Sequence, residues 1–194
     1  MHSLTELSHS LYFSPARWRD PSRPQPSVTQ LFLFHVLPFS LIPTLMLYFL
    51  KSSNVDSVLY LPPLPQGELL GIVAAFWAVQ LVGVPAMAFV IQQLGEIIDA
   101  RISFREGFAI AAIAPTPLWL SSLLLIVPSV AFYLAVFSLA VAASGVLIFR
   151  LVPEVLKPED TGQTSLLSGA IFVTGLVGLA FLMVVTNVLW NLAM

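Results

Sequence analysis

The side chains able to do chemistry are few, and their sharpest cluster falls in one stretch. LGEIIDARISFREG carries Glu96, Asp99, Arg101, Arg105 and Glu106, in a chain whose 194 residues include eight Lys and Arg and ten Asp and Glu. Glu96 and Asp99 are three apart and share one face of a helix. Arg101 and Arg105 follow on the turn, within reach of those carboxylates. Glu96, Asp99, Arg101 and Arg105 therefore form a candidate docking surface for a charged partner or for anionic headgroups. The plainer reading is a solvated helix end that fixes topology. Nothing else in the chain adds up to a reactive set. His2, His9 and His35 all lie near the start and lack the partners at ligand spacing that a metal site needs. His35 reads as an interface residue. There is no HExxH, GxSxG or phosphate-binding loop, and no cysteine for a disulfide, a thiolate metal site or a nucleophile. No catalytic, cofactor-binding or metal-binding residue is assigned, and no enzymatic activity or cofactor is expected.

The elements that position these residues follow from composition. The chain is 58% hydrophobic and 9% charged, against roughly 25% charged in soluble domains. So few charges cannot cover a water-facing surface, so lipid must be the main solvent. A net charge of −2 without a basic tract excludes nucleic acid as a partner. Residues 1–30 form a polar N-terminal tail. A cleavable signal would have its apolar run there, so none is expected. Ser3 and Glu6 have capping-box spacing, and Leu4, Leu7 and Leu11 share a helical face, which suits a helix lying at the membrane surface. The proline-rich stretch PSRPQPS then acts as a linker.

Residues 31–194 divide into five apolar spans, about 31–50, 68–100, 104–127, 130–149 and 165–190. The fold expected is all-α, a polytopic membrane protein with five transmembrane helices. Pro38 and Pro43 interrupt the first span, and each frees a carbonyl that another group must satisfy. Gly67 and Gly71 make a GxxxG pair in span two. Gln80 and Pro85 lie inside that span, and Pro115 and Pro117 inside span three. These four are candidate cavity or packing residues. Gln80 has the chemistry of an interhelical hydrogen-bonding residue. Ser103 and Glu106 form a capping box at the start of span three. In span four, Ala131, Ala135, Ser138, Ala142 and Gly145 make a small-residue stripe suited to a close helix contact. Trp190 suits the membrane–water boundary. Glu154 to Asp160 offers a second polar surface.

Orientation follows from Lys and Arg. With the N-terminus in the cytoplasm, Arg17, Arg19, Arg23, Arg101, Arg105, Arg150 and Lys157 lie inside and only Lys51 outside. Five spans then place the C-terminus outside. The expected partners are membrane lipids, further copies of the chain or other membrane proteins. Two functional readings remain. One is a non-enzymatic adaptor or organiser that binds other membrane proteins or lipids. The alternative is a small-molecule or lipid transporter whose cavity is lined by proline-broken spans.

The tail motif LYFSPARW, the segment FAIAAIAPTPLWLSSLLLIVP, the tight turn after it and the small-residue-rich fourth span together resemble the YIP family of Ypt/Rab-interacting integral membrane proteins. The most specific parts are Ala114-Pro115-Thr116-Pro117 with Leu120, and Phe13-Ser14-Pro15 with Trp18. The resemblance covers nearly the whole chain, in spacing more than in identity. It implies five spans, a cytosolic N-terminus and a role in membrane organisation. Eukaryotic members associate with prenylated Rab GTPases. The short tail points instead to a bacterial inner-membrane member, and no Rab GTPase is then expected as a partner.

Overall fold

Ser27 opens the first helix, in the linker rather than at the first apolar run. A computed structural model describes residues 26–52, 62, 64–97, 102–156 and 161–194. The expected tail helix, Phe13-Ser14-Pro15, Trp18, Asp99, Arg101 and Lys157 to Asp160 lie outside the described residues. Those described are all-helical, and five helices are long and apolar enough to cross a membrane. They are α1 (Val28–Ser52), α2 (Gln66–Ile97), α3 (Phe104–Ile126), α4 (Val130–Leu156) and α5 (Thr161–Leu192). α4 and α5 run past the limits of 149 and 165 expected from hydropathy, because a helix continues where its backbone bonds continue, into the aqueous boundary.

Local chemistry accounts for the irregular places. The Ser27 hydroxyl accepts the Gln30 N–H at 3.2 Å, and the Gln30 carboxamide accepts the Ser27 N–H at 3.0 Å. This capping box precedes a π-helical turn over Phe32–Val36, in which the Leu37 N–H reaches back to the Phe32 carbonyl. Pro38 cannot donate to the carbonyl four residues before it, and the wider turn lies directly ahead of it. Ser103 and Glu106 form the expected capping box at the start of α3, with the Ser103 N–H on the Glu106 carboxylate at 2.8 Å. α3 then breaks at Ala114–Pro115, resumes over Thr116–Ser121 and ends in a 3-10 turn over Ser122–Ile126. Pro117 cannot donate to the Ile113 carbonyl. The Thr116 hydroxyl takes that acceptor instead, at 2.7 Å.

α3 is the hub. In its most apolar stretch 61% is buried inside the protein, against 6% for α5. Ala109, Ala111, Ala112 and Ala114 are all buried. Lipid tails are as apolar as leucine, so helices associate here through close packing and hydrogen bonds, and small side chains permit that closeness. The nearest approach is at Gly107, where an added Cβ would lie 2.7 Å from the Ala88 carbonyl oxygen of α2. Gly67 and Gly71 meet nothing within 4 Å, so the GxxxG pair makes no such approach.

The stripe on α4 also differs from expectation. Gly145 is buried, its would-be Cβ 3.1 Å from the Phe172 ring, but Ala131, Ala135, Ser138 and Ala142 are exposed. α4 packs through another face, Ala140, Ser144, Ile148, Leu151, Val152 and Val155. Trp190 lies near the end of α5, with the Lys51 ammonium 6.0 Å from its ring. It is fully buried with Leu47, Leu69, Ile72 and Val73, and its indole N–H bonds the Pro62 carbonyl at 3.1 Å. This cluster closes one end of the bundle. The larger cluster around Phe108, Ile110, Ile113 and Ile91 closes the other.

Candidate functional site

Between the two clusters, α1, α2 and α3 share a chain of polar side chains. Gln80 of α2 is its centre. Its carboxamide oxygen accepts the Trp119 indole N–H at 3.0 Å, and its amide nitrogen donates to the Thr44 hydroxyl at 3.2 Å. Thr44 in turn donates to the Ser40 carbonyl at 2.9 Å, and Ser40 accepts the Trp77 indole N–H at 3.0 Å. One carboxamide thus ties α2 to both α1 and α3. Nearer the start of α1, the His35 ring lies on the Thr116 hydroxyl at 3.0 Å and hydrogen-bonds the backbone of Ala112. The Thr116 hydrogen is committed to Ile113, so imidazole Nε2 is the donor to Thr116. Phe39 stacks on the imidazole at 4.7 Å between centroids. His35 is therefore held at the α1–α3 contact by several partners. Among the described residues no group of three or more His, Cys, Asp or Glu is placed to hold a metal ion.

A cavity of about 590 Å3 lies beside this network, walled by all five helices and most extensively by α5. Its lining is apolar apart from Gln80, Trp119, Tyr133, Asn187 and several hydroxyls, and among the described residues it includes no Asp, Glu, Lys, Arg or His. Gly83, Leu176, Gly178 and Met183 of the lining are exposed, so it opens sideways towards the bilayer.

The expected site residues separate. Gln80 and Pro115 line the cavity, whereas Pro85 and Pro117 are half-buried and lie outside its lining. Glu96 is exposed near the end of α2. Arg105 is exposed at the start of α3 and donates from Nε to the Pro26 carbonyl at 3.1 Å, fastening the segment before α1 to α3. Glu154 is half-buried near the end of α4. Sequence reasoning missed Thr44, Trp77, Trp119 and Ser144. The signal available was chemical: a tryptophan inside a span needs an acceptor, and Ser40 and Thr44 share a helical face.

Residues 9–182 match the Yip1 domain. The chain belongs to the Yip1 family. The match runs from the tail through the Ala114–Pro117 break and into α5. No curated protein and no solved structure matches the chain. The Yip1 family is generally one of non-enzymatic membrane proteins that interact with membranes and with other proteins. The chain is accordingly an integral, multi-pass membrane protein.

Proposed function

We propose that the chain acts without catalysis, as a membrane adaptor or organiser that binds other membrane proteins or lipids. The observation that carries this reading is the outward surface of α4 and α5. In their most apolar stretches only 22% and 6% are buried within the protein, and the small side chains of Ala131, Ala135, Ser138 and Ala142 face out. Small residues on a span let another helix approach closely. Meanwhile Gln80, Thr44, Trp119 and His35 are bonded to one another or to backbone, an arrangement that stiffens a scaffold.

The N-terminus is cytoplasmic and the C-terminus outside in this reading, on the strength of seven of the eight Lys and Arg falling on one side. In the same reading the membrane is a bacterial cytoplasmic one, where a Rab GTPase is not the partner. Glu96, Asp99, Arg101 and Arg105 would present the cytoplasmic docking surface. Transport of an ion or a strongly polar solute gains no support, since a cavity without charged lining has nothing to bind one. Crosslinking in native membranes tests the proposal. Specific membrane-protein adducts or self-association are expected. Recovery of background proteins alone, with no self-association, would count against it.

A further inference from the structure

α5 is held at its two ends and stands clear of the core between them. Leu167, Ser168 and Ile171 are buried near its start and Trp190 near its end, but none of residues 172–189 is buried. The cavity lies under that stretch. Its lining follows α5 from Ile171 to Asn187, about 24 Å at 1.5 Å per residue. Gly175 and Gly178 line it, and a Cβ added at either meets nothing within 4 Å, so no neighbouring side chain fills the gap. An empty gap forfeits dispersion contacts along its whole wall. The ends of the cavity differ in chemistry. Successive helices run in opposite directions, so the start of α4 and the end of α5 lie at the same end of the bundle. At that end the lining carries Tyr133, in the first turn of α4, and Asn187, exposed near the end of α5. The Asn187 side-chain oxygen accepts from Asn191 at 3.0 Å, and its amide nitrogen, like the Tyr133 hydroxyl, is a donor. The far end is walled by Ile91, Ile110, Ile148 and Ile171.

We propose that this cavity holds one acyl chain of a bilayer phospholipid beneath α5, with the chain's ester carbonyl at the Tyr133 and Asn187 end. The inference rests on the lipid-binding half of the function above and gives it a site, separate from protein docking. Size selects a chain over a helix. About 590 Å3 is the range of a site for one small molecule, whereas a helix about 10 Å across would need roughly 1,900 Å3 over the same length. Polarity selects the ester. A carbonyl oxygen is an acceptor facing two donors, and it is neutral. A free fatty acid would bring a carboxylate to a lining that has no cation among the described residues. A phospholipid keeps its charge outside, in the headgroup. The chain enters sideways, past the exposed Gly178 and Met183.

The test uses the full chain in nanodiscs of an ether-linked phosphatidylcholine, which lacks ester carbonyls. Two trace probes carry the same diazirine-bearing tail, one as an ester phosphatidylcholine and one as its ether analogue. Adducts are mapped by mass spectrometry. Both are expected to mark Met87 and Leu118, half-buried lining residues on α2 and α3 behind α5. Scaled to adducts on the exposed Phe181, which is outside the lining, the ester probe should exceed the ether probe about fivefold, the worth of one neutral hydrogen bond. Tyr133→Phe combined with Asn187→Leu should bring the two probes level. Gly175→Leu should abolish the Met87 and Leu118 adducts, because its side chain occupies the gap without a clash. Gly71→Leu, equally open but outside the lining, should leave them unchanged. Equal ester and ether labelling in the unaltered chain, adducts confined to outer faces, or indifference to Gly175→Leu would each overturn the proposal. Displacement of the ester probe by an equal amount of free fatty acid would assign the cavity to that ligand and overturn it too. Protein crosslinks that persist while Met87 and Leu118 stay unlabelled would refute this site and leave the adaptor reading standing.

Discussion

Replacing Gln80 with leucine removes a side chain that joins three helices, and the structure sets the expected cost. The swap nearly conserves volume, so packing alone contributes little. Two interhelical bonds disappear, to Trp119 and to Thr44. Such bonds average about 0.6 kcal/mol each inside membranes, with a maximum near 1.7. Thr44 keeps its bond to the Ser40 carbonyl. Trp119 does not fare as well: its buried indole N–H is left without an acceptor, a situation worth about 1–3 kcal/mol. Together these predict a loss of about 2 kcal/mol. A double-mutant cycle isolates the cause, because Trp119→Phe removes the orphaned donor. In that background Gln80→Leu should cost about 1 kcal/mol less. Reversible unfolding in mixed detergent micelles, followed by circular dichroism, measures each corner of the cycle. Additivity of the two changes, or no effect of Gln80→Leu, would refute the claim that Gln80 ties the helices together.

Gly107→Ala should destabilise by about 1–3 kcal/mol in the same assay, since backbone must move to admit the methyl group; Gly71→Ala, in open space, should be neutral or stabilise by up to about 1 kcal/mol. Equal effects at the two glycines would show that α2 and α3 do not approach as described. Trp190→Phe should cost about 1 kcal/mol through its bond to Pro62, and Trp190→Ala about 3–5 kcal/mol through the emptied site. The chain has no native cysteine, so maleimide labelling of a single cysteine placed at Leu189 reports whether that end of α5 loosens. Pro117→Leu should lower detergent stability by about 1–3 kcal/mol, because Pro117 stands in the first turn after the break, where its fixed φ holds the restarted helix in place. Arg105→Ala removes a bond at the exposed edge and should cost no more than about 1 kcal/mol. Equal tolerance of these two changes would contradict the importance given to the α3 break.

Hydrophobic length and capping chemistry are local, and they are legible in the residues. The Ser103–Glu106 box and the proline break after Ala114 both follow directly from residue order. Which face of a helix turns inward is not local. Ala131, Ala135, Ser138 and Ala142 look like a packing stripe by spacing, yet α4 buries the face of Ser144 and Ile148. In lipid both faces of a span are apolar, so periodicity loses the contrast that reveals an inward face in water. For Trp190 the residue type does not say whether the indole is exposed or, as here, buried and donating to a loop carbonyl. Gln80 stands out because a carboxamide in a span must find partners. Its partners Thr44 and Trp119 do not, because small hydroxyls and indoles are common in spans.

The central claim is that this protein works by holding neighbours against its outer faces. Site-specific photocrosslinkers at Ala135 and Ala142, both exposed on α4, test it most directly in native membranes. The account predicts discrete protein adducts, with a second copy or another membrane protein, that disappear when Ser138 between them is changed to Trp. Adducts with lipid alone from both positions would contradict it.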